Sequence, residues 1–245
     1  MLLRWPLSLT WRRETMGLVG LIILGVLGYY WPWSVFFNID FLFGSIAVWL
    51  VLSLYGLWWG ALAAIATASV TYFLWHHPYA IVIFTGEFLV VGLLYERYRI
   101  NLAILNWLYW ICLGVPLVWL FYRHVLAVEL TQVQIVMLKQ AVNGIFNALV
   151  ASLILTYTPL HRWLGRPHTW NTLSLQQTLF NILAAFVFFP TLAFMAIGSY
   201  QVVDDITADK QHQLQDVAAH IDALINSGYE QHGKKMVALE SLAMD

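Results

Sequence analysis

Between residues 16 and 200 short polar or aromatic turns cut the sequence into seven mostly apolar stretches, 16–33, 39–55, 57–75, 79–95, 104–122, 131–157 and 175–200. A helix rises about 1.5 Å per residue and needs about 20 apolar residues to cross about 30 Å of hydrocarbon, so the length of these runs limits the fold more than any motif does. They predict an all-α polytopic membrane protein, a six-helix bundle followed by a seventh transmembrane helix. The composition agrees: 10% of the residues are charged and 61% apolar, against about 25% charged in an ordinary soluble domain. The pair 39–55 and 57–75 is separated only by "SLYGLWWG", where Gly56 must allow a tight reversal, and a merged, tilted or re-entrant arrangement is the alternative to two full crossings.

Basic residues predict an orientation, because short loops rich in Lys and Arg stay cytoplasmic. With the N-terminus inside, Arg4, Arg12, Arg13, Arg97, Arg99, Arg162 and Arg166 fall on the cytoplasmic side and Arg123 alone on the other. The first apolar run follows a basic start, as a signal peptide does, but no small-residue cleavage pattern follows "GYYWPW", so it reads as a retained anchor. The expected organisation is a basic cytoplasmic segment at 1–15, a membrane bundle at 16–157, a cytoplasmic linker at 158–174, a seventh span at 175–203 and an extracytoplasmic helix at 204–245. In that last segment Leu214, Val217, Ile221 and Leu224 recur at spacings of three and four. One narrow apolar stripe on a charged helix wants a partner, and a second copy paired through 204–225 would supply it. About 40 residues bury too little to fold alone, so the sequence reads as the front part of a longer chain.

Inside the spans the polar residues stand out. Lys139, Asn143 and Asn147 are four apart and share one face of the sixth run, with Gln140 and Gly144 beside them. A central Lys costs about 2.5–3.5 kcal/mol to insert, so this face should meet protein or water rather than lipid. Glu87 lies eight residues after Tyr79 and Lys139 eight after Thr131, so both sit about 12 Å below one interface, at a depth where they could pair. Two readings stay open. Glu87, Lys139 and the amides are a structural network, or Glu87, Lys139, Gln140, Asn143 and Asn147 line a small-molecule or ion cavity. A retinal-type Schiff base is disfavoured, because the lysine lies in the sixth span rather than the last.

Other features point to structure. His76 and His77 before Pro78 read as interfacial loop residues rather than metal ligands, since no nearby Cys or acidic side chain completes a site. Asp40, with Asn38, is placed to cap the second span, and Pro116 and Pro190 should bend the fifth and seventh. Cys112 stands alone, so neither an intrachain disulfide nor a multi-cysteine metal site is expected. No phosphate-cradling, zinc-protease, nucleophile-elbow or dinucleotide motif occurs, which gives no catalytic constellation and no cofactor. A net charge of −1 gives no reason to expect nucleic acid.

Three blocks, "FGSIAVWLVLSLYGLWWG", "HPYAIVIFTGEFLVVGLLYE" and "LKQAVNGIFNALVASLIL", resemble the N-terminal membrane module of certain bacterial signalling receptors. That module is a six-helix bundle similar to energy-coupling-factor S-components. "FFPTLAFMAIGSYQVVDDITADKQHQLQDVAAHID" is similar to the span and first helix that open a Cache-type periplasmic sensor. The resemblance implies a sensory and anchoring role in a bacterial inner membrane. It also implies a cytoplasmic output elsewhere, such as a diguanylate cyclase, a cyclic di-GMP phosphodiesterase or a histidine kinase of a two-component system, and no enzyme in this segment. The S-component likeness offers the alternative, a small-molecule binding or uptake component.

Overall fold

The computed structural model describes residues 9–36, 39–164 and 175–242, in two compact units, Met1–Ala193 and Phe194–Asp245. In the first unit, α1 (Leu9–Tyr30) is followed by a short antiparallel hairpin of β1 (Trp33–Phe36) and β2 (Ile39–Phe41), in which Trp33 faces Phe41 and Ser34 faces Asp40. Next come α2 (Gly44–Tyr55), α3 (Leu57–Ala68), α4 (Val70–Trp75), α5 (Tyr79–Tyr98), α6 (Leu102–Tyr109), α7 (Val115–Val118), α8 (Leu130–Tyr157) and α9 (Leu160–Trp163). The helix α10 (Leu175–Leu242) begins in this unit and continues through the second. The fold is that of an all-α polytopic bundle, with six helical stretches long and apolar enough to cross a membrane: Arg13–Tyr30, Leu57–Trp75, Tyr79–Tyr98, Leu102–Val125, Leu130–Tyr157 and Leu175–Gly198.

The second sequence run departs from the expected form. Residues 39–55 are not one helix: three belong to β2, and α2 has only 12 residues, about 18 Å of rise, too short to cross hydrocarbon by itself. Broken backbone is tolerated at membrane depth only where protein surrounds it, and here it does. Nine residues of α2 are buried, among them Trp49 and Val51. At the break, Phe43 N donates to Gly28 O on α1 at 3.1 Å. Asp40 consequently sits in β2 and does not cap α2, whose capping residue is Phe43; Asn38 lies outside the described residues. α2 and α3 are joined by Gly56 alone, at φ 88°, a backbone angle that a residue with a Cβ rarely adopts.

The ends of the helices are tied by specific side chains. Leu57 N, at the start of α3, donates to Glu96 Oε1 at 2.9 Å, which places a carboxylate at the positive end of that helix. Tyr55 Oη donates to Glu14 O at 2.9 Å. α5 ends at Arg99 in the left-handed conformation, and Asn101 opens α6 by accepting from Ala103 N at 2.8 Å. Asn101 Nδ2 also donates to Asn181 Oδ1 on α10 at 2.7 Å, and Gln177 Nε2 donates to Arg99 O at 3.1 Å. These contacts gather Glu14, the Gly56 turn, Glu96, Arg99 and the start of α10 at one end of the bundle. At the opposite end His77 packs edge-on to Tyr122 at 5.2 Å, and Tyr79 stacks on Phe121 at 4.8 Å.

Pro116 does bear on its span, through a change of helical pitch. The wide π turns Trp110–Gly114 and Trp119–Val125 flank α7, and Val115 N reaches back five residues to Trp110 O. A wider turn makes room for the proline ring and for the carbonyl its missing N–H would have engaged. Pro190 lies within α10 without ending it. Residues 165–174, most of the expected linker, lie outside the described residues.

Candidate functional site: a buried polar centre

The bundle holds two buried polar clusters, one on α8 and one around Glu87 of α5. The first repairs the break before α2. Leu42 N donates to Asn143 Oδ1 at 3.2 Å, Asn143 Nδ2 donates back to Leu42 O at 3.1 Å, and Asn147 Nδ2 donates to the same oxygen at 2.7 Å. One side-chain amide thus satisfies both backbone groups of Leu42 as a neighbouring β-strand would, and the second amide fills the carbonyl's remaining lone pair. The i, i+4 spacing of Asn143 and Asn147 puts both amides on the same face, one turn apart. This is the structural one of the two readings for these asparagines; only Asn147 Oδ1 is left without a partner.

The second cluster surrounds Glu87 on α5, which is 2% exposed. Its Oε1 accepts from Asn106 Nδ2 at 2.7 Å and from Trp110 Nε1 at 3.2 Å. Both donors are fully buried and come from the same span, where α6 passes into its π turn. α8 approaches through Gly144: a Cβ there would run into Trp110 Nε1 and lie 3.0 Å from Glu87 Oε1, so only glycine lets this helix close over the carboxyl. On the other side of Glu87 lies a cavity of about 10 Å³ lined by Tyr29 from α1, Ser45 and Trp49 from α2, Thr67 from α3, and Phe84 and Phe88 from α5. Tyr29 Oη and Ser45 Oγ are hydrogen-bonded at 2.8 Å. Thr67 Oγ1 donates to Ala63 O at 2.8 Å, with Ala64 O at 3.1 Å. Trp49 Nε1, Asn106 Oδ1 and Gln140 Oε1 are buried without hydrogen-bond partners.

The expected pair of Glu87 with Lys139 is not formed. Equal spacing along two spans says nothing about azimuth, and Lys139 points round α8 to the Trp75 ring, with its Nζ 5.3 Å from the centroid. Gln140 is buried beside this face. The five residues singled out in the sequence therefore divide four ways: Asn143 and Asn147 hold Leu42, Lys139 lies over Trp75, Gln140 is buried with its Oε1 unpartnered, and Glu87 is the centre of the site.

The partners of Glu87 escaped the sequence reading. Asn106 was legible by the argument applied to Asn143, since it is a lone amide within an apolar run. Trp110, Trp49 and Tyr29 carried no such signal, because an indole or phenol in a membrane helix reads as bulk until its polar atom is placed. His77 lies in the turn before α5, among Trp75, Tyr79 and Tyr122, and burial pushes its pKa below the ordinary imidazole value. Among the described residues no group of three or more His, Cys, Asp or Glu side chains forms a metal-binding cluster.

Fold and site together define an α-helical polytopic membrane protein with a carboxyl group at the centre of its bundle. Comparison with protein-family models, with curated proteins and with solved structures finds no match.

Proposed function

We propose that this chain is a membrane sensory and anchoring module of a bacterial signalling receptor, with its N-terminus in the cytoplasm and residues 204–245 on the outer side of the inner membrane. The observation that carries the reading is α10. One uninterrupted helix, Leu175–Leu242, contains first a stretch of membrane-crossing length, Leu175–Gly198, and then a charged segment. In that segment Leu214, Val217, Ile221 and Leu224 are all about half exposed or more. A long helix of this kind suits a connector between a membrane bundle and a sensor domain. The exposed stripe suits pairing of two protomers through 204–225 in a coiled coil, and the asymmetry of basic residues supports the orientation. A signal would act by favouring one of two arrangements of such a dimer over the other. Cyclic di-GMP synthesis or breakdown, or histidine phosphorylation, would belong to an output domain beyond this segment.

Cysteine labelling in intact cells tests the layout. An Asp209→Cys variant is expected to react with a membrane-impermeant maleimide before lysis, and reaction only after lysis overturns both the orientation and the receptor reading. Leu214→Cys and Ile221→Cys variants are expected to cross-link between copies, whereas Asp216→Cys, off the stripe, is not.

A further inference from the structure

Glu87 is an anion-forming group whose hydrogen-bond partners, among the described residues, are the neutral Asn106 and Trp110. Every element packed around it can be checked: α1 brings Tyr29, α2 brings Ser45 and Trp49, α3 brings Thr67, α6 and the following turn bring Asn106, Tyr109 and Trp110, and α8 brings Gly144. The titratable groups in that set are the two tyrosines, and it contains no Lys, Arg or His. Lys139, the cation on the adjacent helix, lies over the Trp75 ring. A charge buried without a partner is so costly that it is neutralised instead, and an ionisable residue inside a span marks a functional position.

The cavity indicates what neutralises it. Its volume of about 10 Å³ corresponds to room for about one water molecule. Trp49 lines it, and its Nε1–H has no acceptor; an N–H presents positive hydrogen and so disfavours a metal or organic cation. Thr67 offers the opposite polarity: its hydroxyl hydrogen is committed to the helix carbonyls, so its oxygen can only accept. A water molecule that accepts from Trp49 and donates to Thr67 and to the carboxyl meets all of these demands at once.

We propose that Glu87 and this cavity form an internal proton-binding site, a carboxyl and one water molecule that together take up and release a single proton. In the uptake step a lone pair of a Glu87 carboxylate oxygen forms an O–H bond to a proton delivered as hydronium, which leaves as water, and the site's charge goes from −1 to zero. Release is the reverse, and no oxidant or metal takes part. Tyr29 and Ser45, hydrogen-bonded to one another on the cavity wall, extend the polar lining toward α1. The site does not depend on the receptor reading and would stand in a transporter as well.

Infrared difference spectroscopy of the full chain in lipid nanodiscs, between about pH 4 and pH 9, tests it. A carbonyl-stretch band of a protonated carboxyl is expected that is lost in Glu87→Gln and shifted in Trp49→Phe, where the water loses a donor. Sodium or potassium at fixed pH should leave the band unchanged. The proposal is overturned if the band persists in Glu87→Gln, if either cation abolishes it, or if the folded protein shows no protonated carboxyl over the range. Should Glu87→Gln fail to fold, Trp49→Phe decides alone, and an unshifted band there counts against the bound water and with it the site.

Discussion

The two buried polar clusters, one on α8 and one around Glu87 of α5, are built from similar side chains and have opposite characters. At Asn143 and Asn147 the amides meet backbone groups and every hydrogen bond of Leu42 is made, with Asn147 Oδ1 the one unpaired atom of these two amides. At Glu87 a carboxyl with two neutral donors is left beside a small cavity, with Trp49 Nε1 and Asn106 Oδ1 unpaired. Because buried polar groups are nearly always satisfied, the difference separates two uses of polarity in a membrane bundle. The first cluster lets a chain cross protein interior while its backbone is not helical. The second keeps bonding capacity in reserve for something small.

That contrast can be broken by experiment, and the largest effect should come from the first cluster. The double variant Asn143→Leu, Asn147→Leu leaves the Leu42 N–H and C=O without partners, at about 1–3 kcal/mol for each orphaned group. Denaturant titration in detergent should show a large loss of stability, and an unchanged midpoint would mean that the break has other partners. Gly144→Ala comes next, since its methyl group would overlap Trp110. Overpacking of this kind costs about 1–3 kcal/mol, and a compensating Trp110→Phe should recover part of it. Glu87→Gln should cost less than about 1 kcal/mol in the same assay, because a neutral group of the same shape still accepts from Asn106 and Trp110. A loss as large as that of the asparagine pair would show Glu87 to be structural after all.

The smallest effect concerns His77, outside the spans. Its folded-state pKa is lowered by burial from 6.5, so the unfolded chain binds the proton more readily. The stability it contributes is complete above about pH 6.5 and is lost as the pH falls through the lower folded value. His77→Phe should flatten this part of the pH profile, and a profile as steep as that of the unaltered protein would remove His77 from the account.

Span positions were largely legible: the runs 57–75, 79–95, 104–122 and 131–157 agree with observed helices to within a few residues at each end. Their lengths follow from the solvent, which allows unsatisfied backbone nowhere. The run 39–55 was not, because hydropathy records that a segment is apolar and not whether its backbone is helical. That Leu42 leaves the helix was decided by Asn143, 101 residues away in sequence. For Glu87 the sequence suggested Lys139 as partner, where the structure gives Asn106 and Trp110. Helical periodicity gives depth and face for one helix, but which faces meet depends on how all the helices rotate and pack, and Gly144, Trp110 and Asn106 set that.

The sequence by itself determined that this chain forms apolar helices of membrane-crossing length, that one face of α8 must be turned away from lipid, and that a carboxyl is buried in α5. Only the tertiary structure decided that the asparagines serve the backbone of Leu42, that Lys139 lies over Trp75, and that Glu87 faces a water-sized cavity. Transfer of a side chain from water depends on the residue and its depth, both of which can be read along the chain. A hydrogen bond depends on a few tenths of an ångström between helices, which no single helix carries.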